Sequence, residues 1–214
     1  MSHKSKAKYY VRRWVQRMGV FGWVSGALFL GMQAWAFPSP ESGKNNKKQA
    51  DYLDPHSGIM LPGQVQLFKQ SYLKSDWPMK GVTCAFYETV DYTEGLGHML
   101  NWYAVKAEVR IVPSPASSAM RVVEIMLRAV KDKHPDFKGA TYDGETVFGG
   151  TQAVCGQGSM AVPARSDRAI VQVIVVPKGR FLVAFRFIFS GSRQRNFEPE
   201  IGAFVKNILG GHDH

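Results

Sequence analysis

Two runs near the C-terminus constrain the fold more than anything else in this chain. Residues 169–176 and 181–189 are apolar on both faces, with only Pro177-Lys178-Gly179-Arg180 between them. A strand with one solvated side alternates apolar and polar residues, whereas a run that is apolar throughout belongs inside a sheet covered on both sides. Ile170, Val171, Val173, Ile174, Val175 and Val176 oppose Phe181, Val183, Phe185, Phe187 and Phe189, and only Gln172 and Arg186 interrupt. The pattern predicts a central hairpin. For Arg186, a buried anion-binding position and a snorkelling or edge position are both open, the latter being the commoner arrangement.

Such a hairpin needs cover, and two amphipathic segments supply it. In residues 114–134, Ser114 offers a cap and Pro115 suits a first turn, while Ala119, Val122, Val123, Met126, Leu127 and Val130 recur at helical spacing until Pro135 stops the helix. In the closing segment Asn196 is the expected cap, Glu198 and Glu200 sit near the positive end, Phe197, Ile201, Phe204, Val205 and Ile208 form the stripe, and Gly210 ends it. The first strand expected lies at residues 82–88, followed by a turn-rich piece at 91–97 and a strand at 103–112. There Val105, Ala107, Val109 and Ile111 alternate with Lys106, Glu108 and Arg110, which reads as a half-exposed strand. After the helix come residues 141–148, then Gly149-Gly150 and a strand at 151–162 that carries Cys155. The order predicts an α+β domain: a largely antiparallel sheet covered by two amphipathic helices, an α/β/α layered sandwich.

The first 36 residues have the composition of an export signal. Lys4, Lys6, Lys8, Arg12, Arg13 and Arg17, without an acidic residue, precede the apolar run 19–32, which ends at Ala34-Trp35-Ala36. Small residues at Ala34 and Ala36 fit signal peptidase, so the expected mature start is Phe37 and the expected location periplasmic, with secretion as an alternative. An uncleaved anchor is the rival reading, but a span needs about 20 apolar residues. Here the run has 14, four of them glycine. No cysteine near the cut offers a lipid attachment point, and Arg12-Arg13-Trp14 leaves both the general and the twin-arginine routes open.

Cleavage also changes the charge argument. Six of the 27 basic residues leave with the leader and none of the 17 acidic ones, so the net charge falls from +10 to about +4. The one basic cluster outside the leader, Lys44 to Lys48, lies in a polar stretch, and nucleic-acid binding is not expected. Residues 37–64 are rich in turn formers and predict a flexible polar linker or arm; residues 65–210 are the size of one domain, and 211–214 form a tail. Cys84 and Cys155 are the only cysteines, an even count that in an oxidising compartment predicts one disulfide. The loop of about 70 residues that it would close adds about 4 kcal/mol by chain entropy.

The helix at 114–134, the strand that starts at Gly149-Gly150-Thr151-Gln152-Ala153, the hairpin arm 181–189 and the closing helix at 197–209 together resemble the PsbP-like family of small layered domains in exported or lumenal proteins. The resemblance covers roughly the second half of the chain and implies an accessory or binding role rather than catalysis.

Motifs for chemistry are absent from the sequence: there is no Gly-x-Ser-x-Gly elbow, phosphate loop, His-Glu-x-x-His or Cys-x-x-Cys. No metal site and no cofactor are expected; His212-Asp213-His214 reads as a frayed tail. The aromatic residues Trp77, Phe86, Tyr87, Tyr92, Trp102 and Tyr103 admit two readings, core packing or a docking surface in which Trp77, Tyr87, Tyr92 and Trp102 meet a partner. Two functions remain open. One is an exported, non-catalytic accessory or binding protein of the cell envelope, with another envelope protein or a small ligand as partner and membrane contact only through the signal segment. The other is a periplasmic hydrolase or thiol enzyme using a Cys/His pair.

Overall fold

The apolar hairpin lies inside a sheet, as its patterning demands. The computed structural model describes residues 50–89, 105–114, 118–148, 151–161 and 167–210. Twelve elements follow in chain order among them: β1 (Tyr52–Leu53), β2 (Met60–Leu61), β3 (Gln64–Val65), β4 (Phe68–Lys74), β5 (Thr83–Thr89), β6 (Lys106–Pro113), α1 (Ala119–Lys133), β7 (Lys138–Phe148), β8 (Thr151–Ala161), β9 (Arg168–Lys178), β10 (Phe181–Ser190) and α2 (Gln194–Ile208). β1 and β2 pair with each other, and the other eight form one antiparallel sheet in the order β3-β4-β5-β6-β10-β9-β8-β7. The domain is therefore α+β. None of its described helices is long and apolar enough to cross a membrane.

β9 and β10 are joined by Gly179-Arg180, and Gly179 takes φ 59°. A two-residue hairpin turn needs a positive φ at its first position, which glycine adopts without a Cβ clash. β10 then runs between β9 and β6 in full register, with Phe185 opposite Ile174 on one side and Val109 on the other.

Alternation along these strands creates two apolar faces. On the first, Val105, Ala107, Val109 and Ile111 join Phe181, Val183, Phe185, Phe187 and Phe189, and α2 lays Ile201, Phe204, Val205 and Ile208 on them. Phe204 is the hub: its ring centroid lies 4.6 Å from Phe68 and 5.1 Å from Tyr87, and it meets Phe185 and Phe187 edge-on. On the second face, α1 packs over β7, β8, β9 and β10 and buries Val122, Val123, Met126, Leu127 and Val130. Contact there is close because β8 offers Gly156, where a Cβ would stand 2.5 Å from Val123 Cγ1 and 2.7 Å from Leu127 Cδ1. Gly156→Ala is accordingly expected to destabilise by about 1–3 kcal/mol in urea unfolding, because a packed interface must open to admit one methyl. Gly202→Ala in α2 is the control: a Cβ there meets nothing within 4 Å, so the better helix former should raise stability by about 0.5–1 kcal/mol.

Several boundaries differ from expectation. α1 is capped by Ser118, whose hydroxyl accepts from the Arg121 N–H at 3.2 Å; Ser114 is still tied to the hairpin, its N–H donating to the Arg180 carbonyl at 2.8 Å. α2 starts at Gln194, straight out of a 3-10 turn at Gly191–Arg193, so Asn196 lies within it and no acidic residue falls in its first turn. Its other end is closed as expected by Gly210, at φ 79°, and by the Lys178 ammonium on the Leu209 carbonyl.

The expected arm is shorter than its turn residues implied, since residues 51–65 belong to the domain. Asp54 is 1% exposed, and its carboxylate accepts from the Thr83 hydroxyl at 2.5 Å, from the Ser57 N–H at 2.8 Å and from the Ser57 hydroxyl at 2.5 Å. That carboxylate holds the β1–β2 turn against β5, and Ile59 and Leu61 are buried beside it. Residues 37–49 lie outside the described residues.

Candidate functional site: a buried ion cluster on the central strands

β6 is not the half-exposed strand that its alternation suggested. Its polar residues point to the second face, where Glu108 is fully buried and Arg110 is 4% exposed. Arg186, 3% exposed on β10, stands directly opposite Glu108, and Cys84 on β5 stands opposite Arg110. Arg186 is thus neither snorkelling nor at an edge. Both Glu108 oxygens are engaged: Oε1 accepts from Arg110 Nε, and Oε2 lies 2.5 Å from Arg186 Nη2.

Electrostatics follow from that geometry. Burial alone pushes the Glu108 carboxyl up, but the Arg186 and Arg110 guanidiniums outweigh it and hold the group below the usual glutamate value, so it is ionised at neutral pH. Burial lowers the Arg186 guanidinium from its ordinary value, against the pull of Glu108. At the last turn of α1, Lys133 is lowered as well, first by partial burial and then by repulsion from Arg186. The Cys84 thiol is pushed up to about 12 by burial. It stays protonated and points at the Trp77 carbonyl, 3.5 Å away.

Chemically these groups are held in check. A carboxylate gripped on both oxygens has little proton affinity to offer as a general base, and a protonated buried thiol is no nucleophile. What the cluster does well is fix register. Sliding β10 past β6 by one residue would carry Arg186 to the opposite face and strand Glu108, a penalty much larger than that of a misplaced apolar pair.

The residues singled out in the sequence do not converge. Cys84 and Cys155 are not bonded to each other, contrary to the expected disulfide. Cys84 sits on β5 and Cys155 on β8, with β6, β10 and β9 between them, and the two face opposite sides of the sheet. Tyr87 is no docking residue: it is fully buried, its hydroxyl donates to the Pro62 carbonyl at 3.0 Å and accepts from Gln70 Nε2 at 3.3 Å, and burial raises its pKa. Trp77 is half-buried, with the Lys74 ammonium 5.1 Å from its ring centroid. Tyr92, Trp102, Ala34, Ala36, Phe37 and the histidines of the tail lie outside the described residues.

Other polar groups have structural partners. His56 meets Asp76 at 3.2 Å in an exposed pair, and Asp76 also accepts from the Gly81 N–H at 2.6 Å, the main reason its carboxyl is lowered. Ser190 and Ser192 both donate to Asp167, which holds that carboxyl low and anchors the turn before α2. Among the described residues no three His, Cys, Asp or Glu side chains converge on a point that would hold a metal ion.

No family model matches the chain, and no curated protein does. The ion cluster was hidden from sequence reasoning because Glu108 and Arg110 on β6 read as an exposed alternating face, and their partner Arg186 comes from a strand far along the chain; its one signal was a lone arginine in an otherwise apolar strand.

Proposed function

We propose that this chain is an exported, non-catalytic accessory or binding protein of the cell envelope. The observation that carries this reading is the silencing of the best-placed reactive groups: Glu108 is locked between two guanidiniums and the Cys84 thiol is held at about 12. A thiol enzyme needs a thiolate, which a helix N-terminus or a nearby cation in a polar setting would have to stabilise. For Cys84 burial outweighs the guanidinium of Arg110.

The leader, with its Ala34 and Ala36, supports export, and the resemblance to the PsbP-like family supports an accessory role. The finer architecture belongs to the same reading: the packing of α2 on one apolar face and of α1 on the other supports an α/β/α layered sandwich. A partner surface is offered by half-buried Trp77, by Lys74, and by Tyr72, which is 39% exposed and whose ring lies tilted to that of Phe86 with centroids 5.9 Å apart. The test is fractionation of expressing cells with intact-mass measurement, using chain that carries a photo-crosslinker at position 72. A periplasmic mass beginning at Phe37, with a crosslink to one envelope protein that Trp77→Ala abolishes, is the expected result. A full-length cytoplasmic mass without a specific crosslink would overturn it.

A further inference from the structure

The two cysteines and the sheet order together carry a consequence for folding under oxidising conditions. Cys84 lies in a row of paired residues that runs through Arg110, Ala184 and Val175 to Val154, the neighbour of Cys155. Four strand spacings separate β5 from β8, about 19 Å along the sheet. A disulfide needs Cα atoms no more than about 7 Å apart with converging Cβ vectors. Here the vectors diverge as well, because Cys155 joins the core under α2 while Cys84 lies on the face of the ion cluster. Relaxing a side chain or a turn does not close such a gap; the bridge requires the central strands to separate.

We infer that the Cys84–Cys155 disulfide and this fold exclude one another, so that the pair acts as a redox gate on folding. In the unfolded chain both thiols are exposed and titrate normally. A disulfide oxidant such as glutathione disulfide then takes one thiolate into a mixed disulfide, releasing one glutathione thiol. The second cysteine thiolate displaces the other glutathione, so two protein thiols become one bridge and one glutathione disulfide becomes two thiols. The bridged chain cannot lay β6, β10 and β9 between β5 and β8. Once folded, by contrast, the chain buries both sulfurs and resists the same oxidant. If the leader directs export into an oxidising compartment, folding must outpace formation of the bridge.

The experiment uses the full-length chain, purified reduced. One portion is unfolded in urea, treated with glutathione disulfide, freed of oxidant and diluted into buffer; another is treated identically while native. Tryptophan fluorescence and far-ultraviolet circular dichroism report folding, and mass with thiol alkylation separates bridged from glutathionylated chain. The bridged chain should retain the unfolded spectra and regain the native ones on adding dithiothreitol, while native protein should react at least about a hundredfold more slowly than unfolded chain. Cys155→Ala, which cannot form the bridge, should refold after the same oxidant treatment followed by brief glutathione exchange. If that variant does not fold, the dithiothreitol reversal of the bridged natural chain carries the test alone. A bridged chain that refolds to the reduced protein's spectra, or native protein that acquires the bridge as fast as unfolded chain, overturns the inference.

Discussion

Replacing Glu108 by glutamine is expected to lower the unfolding free energy by about 3–5 kcal/mol, the cost of leaving guanidiniums buried without their counter-charge. Urea titration at neutral pH measures it as a shift in midpoint. The cluster is a poor source of net stability despite that number, because bringing three charges out of water offsets most of their attraction. A triple variant with Glu108, Arg110 and Arg186 replaced by apolar residues of similar volume should therefore recover most of the loss. If Glu108→Gln costs less than 1 kcal/mol, the cluster is not the register lock inferred from its geometry.

The same carboxylate sets a pH signature. Its folded pKa is depressed, so its contribution is fully present above the unfolded glutamate value of about 4.3 and is lost as pH falls towards the folded value. The gap between the natural chain and Glu108→Gln should be flat from about pH 8 to 5 and narrow below about pH 4. A gap that widens on acidification would mean that the carboxyl is protonated in the fold.

Phe204→Ala should cost a comparable 3–5 kcal/mol through a different cause, the cavity left where one ring meets four others. Phe68, Tyr87, Phe185 and Phe187 come from β4, β5 and β10, so the hole cannot be closed by moving one strand. The measurement is the same urea titration with its slope unchanged, since a cavity alters stability without altering the surface exposed on unfolding. Phe197, only partly buried against Phe189 at 6.3 Å, should lose distinctly less.

Much of this architecture is legible in local pattern and some of it is hidden by design. The hairpin at 169–189 and the stripe of α1 are read correctly because each is set by a period that holds along its whole length. β4 escapes that reading because a register shift between Gln70 and Tyr72 breaks the alternation: Phe68 and Gln70 point to the α2 side, and after the shift Leu73 does. β6 misleads for the opposite reason. Its alternation is regular, but a strand whose polar side faces two arginines looks the same in sequence as one whose polar side faces water. Cysteine parity fails too, because it counts thiols without asking which strands stand between them. At the N-terminal edge, Pro55 and Gly58 look like linker residues, yet the buried Asp54 carboxylate ties their exposed turn to β5.

The position of β10 carries a consequence for how the chain comes into being. Synthesis runs from β3 towards β10, yet β10 is the strand that joins β6 to β9. Until residue 190 has emerged, β6 ends in an open ladder of backbone donors and acceptors, and β7, β8 and β9 can form only a detached meander. An emerging chain of this kind is exposed for most of its elongation to pairing with the wrong edge, and its non-local closure is intrinsically slow. Truncations anywhere before Phe181 should therefore yield no smaller stable sheet, only aggregation, whereas removal of the tail beyond Gly210 should leave folding intact.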